Sequence, residues 1–305
     1  RRLEMSDPRT IFDRALLRHR RQRAAPRMAA HAFLLERFRD EMTERLSLIQ
    51  RSFNSALILG AQGGALGELL RRRGVAQVVE METTQALFPK GAALCVLADE
   101  EAIPFADESF DLVVAPLTLH FVNDLPGTLL QIRRCLKPDG LFFGGLFGGK
   151  TLHELRTAWL EAEAETSGGV SPRVAPFADV RDLGGLLQRA GFALPVVDAD
   201  VFRVRYASAF SLMQDLRGMG AGNVMRDRRR VPVGRRLARR VGEIYADQFA
   251  DTDGRIPATF ELLVMTGWAP HQSQQKPMQP GTARTSLAGA LGTVEHSLTD
   301  KADRK

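Results

Sequence analysis

Cysteine is nearly missing from this chain. Cys95 and Cys135 are the two among 305 residues, too few for a disulfide framework or a cysteine-rich metal centre. Both lie in apolar or helical surroundings, which reads as reduced, buried thiols of a cytoplasmic protein. No run of about 18 uncharged apolar residues occurs, so no spanning helix is expected, while peripheral contact with a membrane stays open. The stretch from Arg1 to Arg27 is too rich in arginine to supply the apolar core of a secretory leader. Lysine is scarce as well: six of the 42 basic residues are Lys, which leaves 36 Arg.

What is present is an ordinary globular composition, 44% hydrophobic and 26% charged, with a formal net charge of +6. At about 100–200 residues per domain, that length means one large domain or two small ones. Arginine gathers in two places. Residues 1–50 hold twelve Arg against seven acids, and residues 226–240 hold eight Arg and one Asp. Such patches attract anionic surfaces. No aromatic RNA-binding signature or helix-turn-helix accompanies them, so no nucleic-acid partner is expected, and solvated helix faces are the simpler reading.

Periodicity divides the chain. Phe33, Leu34, Phe38, Met42, Leu46 and Ile49 recur at helical spacing, which makes residues 1–50 a helical cap. From Ala56 short apolar strands alternate with helices: Ala56 to Leu59, Gln77 to Val79, Leu94 to Leu97, Phe110 to Val114 and Leu141 to Phe147, with a turn at Lys137 to Gly140. Residues 51–272 then form an α/β domain around a mostly parallel sheet, with 206–250 a helical insertion before the last strand, Ile256 to Trp268. Residues 273–305 read as a polar, disordered tail.

In an open parallel sheet, ligands bind beyond the carboxyl ends of the strands. Four segments lie there. Gly60-Ala61-Gln62-Gly63-Gly64 follows strand one and lets backbone approach a ligand at the start of a helix. Glu80 and Glu82 follow strand two, where an acid accepts both hydroxyls of a ribose. Asp99, with Glu100 beside it, follows strand three, where a carboxylate accepts from an adenine amine or caps a turn. Leu117 and His120 follow strand four, and His120 serves as a general base, a substrate-orienting group or a structural ring. The six histidines are scattered and form no convincing metal triad.

The order of glycine-rich loop, acid, Asp99 with Phe105, Leu117-Thr118-Leu119-His120 and Leu136-Lys137-Pro138-Asp139-Gly140 resembles the class I S-adenosylmethionine-dependent methyltransferases, in particular the methyltransferase-11 group. Ile11-Phe12-Asp13-Arg14, Leu97-Ala98-Asp99-Glu100-Glu101, His120 to Pro126, Phe147 to Arg156, Asp215 to Gly220, and Pro257-Ala258-Thr259-Phe260 with Gly267-Trp268 narrow the likeness. They resemble the mitochondrial complex I assembly factors that hydroxylate an arginine of a core complex I subunit. The malonyl-acyl-carrier-protein methyltransferases of biotin synthesis are more distantly similar.

The resemblance implies a Rossmann-like, seven-stranded sheet whose last strand runs antiparallel. It implies S-adenosylmethionine as cofactor, with Gly60, Ala61 and Gly64 at its methionine part, Glu80 or Glu82 on the ribose, Asp99 and Glu100 near the adenine, and Leu117 and His120 near the reactive centre. It also implies a protein substrate, a respiratory complex I subunit. Ile58 and Gln62 depart from the motif, which has Asp and Gly there, and Lys150 replaces a more usual acid. Two other readings follow from those departures and from the basic surface: a cofactor-deficient scaffold, and an O-methyltransferase for an acyl-carrier-bound or small substrate.

Overall fold

A computed structural model of the chain describes residues 10–91, 94–275 and 286–293. The elements begin with α1 (Arg14–Ala24) and α2 (Phe33–Ser47), joined by a 3-10 turn at Ala25–His31. Then come β1 (Ser55–Leu59), α3 (Ala65–Arg72), β2 (Gln77–Glu82), β3 (Cys95–Leu97), β4 (Phe110–Pro116), α4 (Leu125–Cys135) and β5 (Leu136–Phe147). The second half holds α5 (His153–Ser167), α6 (Val180–Arg189), β6 (Ala193–Tyr206), α7 (Ala209–Gly218), α8 (Arg235–Phe249) and β7 (Ile256–Trp268).

The seven strands form one sheet in the order β3-β2-β1-β4-β5-β7-β6. β1 pairs parallel with β2 and β4, and β7 lies antiparallel between β5 and β6. The expected Rossmann-like sheet with an antiparallel last strand is therefore what forms. The strand order reverses at β1 and β4, which puts a crevice above their carboxyl ends.

Every residue of β1 is buried, because helices cover both faces. Ala56, Ile58, Val114 and Phe143 face one core layer together with α2, α5 and α8. Leu57, Leu59, Val113 and Phe142 face the other, with α4 and α6. Ile58 is thus a core residue, as an apolar side chain on a two-sided strand must be. On α2 the buried residues are Leu34, Phe38, Met42 and Leu46, one per turn. Phe38 meets Phe143 edge to face at 5.6 Å, a contact worth about 1 kcal/mol beyond its burial.

The turn expected at Lys137 to Gly140 falls inside β5 instead. The pairing with β4 shifts between Phe110 and Leu112, and Asp139 takes a left-handed φ of 61°. The strand absorbs the turn residues as an irregularity in its register. The tail expected from Ser273 lies mostly outside the described residues; within it Leu287–Leu291 forms a short helix, α9. The chain divides into a compact unit reaching Pro270 and a second from His271 onward. Among the described residues no helix is long and apolar enough to cross a membrane.

Candidate functional site

The turn after β1 is stitched to its neighbours. Gly60 has φ 86°, and a Cβ there would run into the Thr118 methyl group. Its N–H donates to the Met81 carbonyl at 2.8 Å, and the Thr118 hydroxyl donates to the Leu59 carbonyl at 3.1 Å. Gln62 also has positive φ, 44°. Its backbone N–H donates to Glu82 Oε1 at 2.7 Å. Its side-chain Nε2 reaches across to the Pro116 carbonyl at 3.1 Å. Gly64, at φ 88°, opens α3, with Ala61 buried beside it.

The two acids of β2 have different surroundings. Glu80 is buried under α3, where a Cβ on Gly67 would strike it, and Arg71 donates to its Oε1 at 3.0 Å. Glu82 ends the strand, next to the turn. Burial pushes its carboxyl up to about 7, against the pull of Arg21. Its Oε2 is buried with no hydrogen-bond partner. A buried acceptor left open is costly; Glu80 Oε2 is open as well, near Gly64, and Glu82 is the one of the pair that accepts from the Gln62 N–H in the glycine turn.

Past β3 the acids are covered by α1. Arg14 donates to Asp99 at 2.6 Å and also pairs with Glu100. Arg21 donates to the other Glu100 oxygen at 3.2 Å. Arg14 and Arg21 lie seven apart, two turns along one helix face. Burial would raise the Asp99 pKa, but the bonds from Arg14 and the Glu101 N–H hold it below the usual range. The cap is anchored further by Phe12, whose N–H donates to Asn123 Oδ1 at 2.7 Å and which forms a β-bridge with Met225.

Leu117, at φ 52°, and His120 line a cavity of ≈ 60 Å³ with Arg21, Met28, His31 and Gln62. The His120 ring is packed against Phe121 and Phe147, with centroids 4.2 Å and 4.8 Å away. Burial, and secondarily Arg21, push its pKa down to about 3, and its Nδ1 has no partner. It is a neutral ring at neutral pH.

Sequence reasoning missed a second histidine. His31 Nδ1 is hydrogen-bonded to Asp215 Oδ1, and the Tyr206 hydroxyl donates to Asp215 Oδ2 at 2.7 Å. These residues come from the turn before α2, from α7 and from β6. One signal pointed at them: the segment Asp215 to Gly220. Its Gly218 lies so close that a Cβ would run into the His31 ring.

A larger hollow of ≈ 470 Å³ lies behind Phe177, lined by Arg156, Trp159, Arg173, Val174 and Met225. Phe177, which also lines that hollow, is 6.1 Å from the His120 ring. Of the arginine cluster at 226–240, Arg228 donates to Asp13 at 3.3 Å and Arg240 to Glu165 at 2.5 Å. Part of that charge is therefore used inside the fold. Among the described residues no group of three or more His, Cys, Asp or Glu gathers closely enough to hold a metal ion.

Residues 57–144 match the model of a methyltransferase domain. The chain is 39% identical over 302 residues to the human protein named arginine-hydroxylase NDUFAF5, mitochondrial, covering 96% of this chain and 87% of that protein. It is 33% identical over 287 residues to the malonyl-[acyl-carrier protein] O-methyltransferase of Halorhodospira halophila, covering 91% of this chain and 95% of that one. Among solved structures, the YcgJ protein of Bacillus subtilis superposes with a TM-score of 0.53 at 14% identity, over 77% of this chain and 99% of its own, a likeness of fold. The mitochondrial name recurs in the rat and zebrafish relatives. It overturns the cytoplasmic location expected from the reduced thiols: two free cysteines argue against a disulfide framework and do not tell one reducing compartment from another.

Proposed function

The chain belongs to the family of the mitochondrial arginine-hydroxylase NDUFAF5, and on that premise we propose that it is an enzyme that holds S-adenosylmethionine above β1 and β2 and modifies an arginine of a partner protein, a respiratory complex I subunit under assembly. The observation that carries the cofactor half is Glu82. Its buried Oε2 lacks a donor, and a ribose hydroxyl is the donor that position fits.

The residues present suit the cofactor. Gly60 and Gly64 supply the left-handed backbone of the turn and admit Thr118 and Pro89 against it, Glu82 takes the ribose, and Leu117 and His120 form an apolar, uncharged wall beside the reactive centre. Space is the obstacle. A cofactor-sized pocket measures about 300 Å³ or more, while this cavity is ≈ 60 Å³. Arg14 and Arg21 lie where the adenine acids would act, so binding requires the face of α1 to withdraw from Asp99 and Glu100. When bound, S-adenosylmethionine supplies a sulfonium methyl group. Hydroxylation of arginine is a different balance: one C–H becomes C–OH, dioxygen supplies the atom, and an external reductant supplies two electrons as the second oxygen leaves as water.

The test is calorimetric titration of the full chain and of Glu82→Ala with S-adenosylmethionine, followed by mass spectrometry of the partner subunit after incubation. Binding that weakens about tenfold or more in Glu82→Ala is expected, together with a mass gain of one oxygen or one methylene on an arginine. No heat at millimolar ligand and no mass gain would leave the scaffold reading, which the Gln62 bridge to Pro116 favours.

A further inference from the structure

The cofactor site proposed at the sheet edge accounts for Glu82, His120 and the glycine turn, and leaves the chain of His31, Asp215 and Tyr206 without a task. Its geometry is that of an oriented imidazole. The carboxylate of Asp215 holds Nδ1, so in the neutral ring Nδ1 carries the proton and Nε2 keeps its lone pair. Nε2 has no partner among the described residues, and the ring lines the cavity. Tyr206 donates to the second Asp215 oxygen, which fixes the carboxylate plane.

Asp215 pairs with no Arg or Lys among the described residues; its one ionic partner is His31. Arg21, the cation that also lines the cavity, is already matched by Glu100. The cap side of the cavity therefore offers an acceptor backed by an anionic charge that no fixed cation cancels. A guanidinium has N–H donors and no acceptor, and it prefers planar acceptors with negative charge behind them. The size agrees too. The cavity of ≈ 60 Å³ has room for about four water molecules, the scale of a guanidinium head and far below a nucleoside.

We propose that His31, oriented by Asp215 and Tyr206, is the receiving site for the guanidinium of the target arginine: Nε2 accepts one of its N–H groups, and Asp215 supplies the counter-charge. This rests on arginine being the target. It makes the three residues binding groups for substrate, set opposite the wall that holds the cofactor, to which the uncharged His120 belongs. Gly218 is required by the same arrangement, since any side chain there would displace the ring.

The probes are N-acetyl-arginine methylamide and its citrulline counterpart, which has the same shape without the charge. Nitrogen NMR of the His31 ring in the full chain reads the contact directly. The arginine amide is expected to shift the Nε2 resonance and the citrulline amide to leave it in place. Asp215→Asn is expected to weaken the arginine amide about tenfold or more, while S-adenosylmethionine binding stays within about twofold. Tyr206→Phe, a gentler change, lowers affinity in the same direction by a smaller factor. Unchanged arginine-amide binding in Asp215→Asn would overturn the assignment and leave arginine as the target. Arginine and citrulline amides bound alike by the unaltered chain would overturn both.

Discussion

The two walls of the central cavity differ in how far their charged groups are paired within the fold. On the sheet wall, Glu82 Oε2 and His120 Nδ1 are buried with no partner. On the cap wall, Arg14, Arg21 and Asp215 each have partners, in Asp99, Glu100, His31 and Tyr206, although Arg14 Nε is buried with none. Open valences on a buried surface cost stability, and on the proposed reading those of the sheet wall are met by a ligand that arrives from outside. Paired valences fix geometry, so the cap wall is built to hold a shape and, by the same bonds, to stay shut. On that reading, activity depends on transferring partners from the second wall to a ligand on the first.

Breaking the cap wall has the largest effect. Glu100 is 1% exposed and matches two arginines. Glu100→Ala leaves both guanidinium groups buried without their shared acid, a loss of about 3–5 kcal/mol. Urea unfolding reads it. A loss under about 1 kcal/mol would mean that the cap is held by Phe12, Phe38 and their neighbours alone, and that the ion pairs are ornament.

The sheet wall is read by pH. Glu82 titrates near 7 in the fold and at 4.5 in the unfolded chain, so the fold binds that proton more tightly and stability falls as pH rises between those values. His120 titrates near 3 in the fold and at 6.5 unfolded; here the unfolded chain binds the proton, and stability is lost as pH falls. From pH 4.5 to 6.5 the two slopes oppose each other. Removing one exposes the other. Relative to the unaltered chain, Glu82→Gln gains on the order of 2–3 kcal/mol across that window as pH rises. His120→Phe gains a similar amount, on the order of 2–3 kcal/mol, as pH falls. Stability curves for the two variants that run parallel to the parent would show that neither group is as buried as the packing places it.

The same contrast explains what the sequence disclosed. The sheet wall was legible because a parallel strand ends in a loop at a fixed place: Gly60, Glu82, Asp99 and His120 can each be found by counting from an apolar run. Glu80 and Glu82 could not be separated, since residues two apart share a strand face. What divides them is Arg71 and the turn at Gln62. The cap wall was illegible because its partners are remote in the chain. His31 and Asp215 are 184 residues apart, and Arg14 and Glu100 are 86 apart. Nothing local in a helix marks one arginine as a clamp among twelve in the first fifty. Gly218 was the one local trace, a small residue made necessary by a ring from far away. The turn signal at Lys137 to Gly140 misled for the converse reason: strong local turn chemistry was overridden by the strand pairing on either side.

The smallest change in stability belongs to the residue that ties two strand ends of the sheet wall together. Gln62 holds a left-handed backbone that costs a side chain about 1 kcal/mol or more, and its amide bond to Pro116 returns about 1 kcal/mol. Glycine relieves the first and loses the second, at an entropic cost of about 0.5–1 kcal/mol. Gln62→Gly should therefore leave stability within about 1 kcal/mol, because the backbone N–H that bonds Glu82 is unchanged. Affinity is the informative reading. If the Gln62 side chain is what fills the crevice, S-adenosylmethionine binds about tenfold tighter to Gln62→Gly, the equivalent of one avoided bond and one avoided clash. If affinity does not move, and rises instead in Arg14→Ala, then the obstruction is the cap, and opening α1 is the step that admits the cofactor. One pair of titrations thus assigns the closed cavity to one wall or the other.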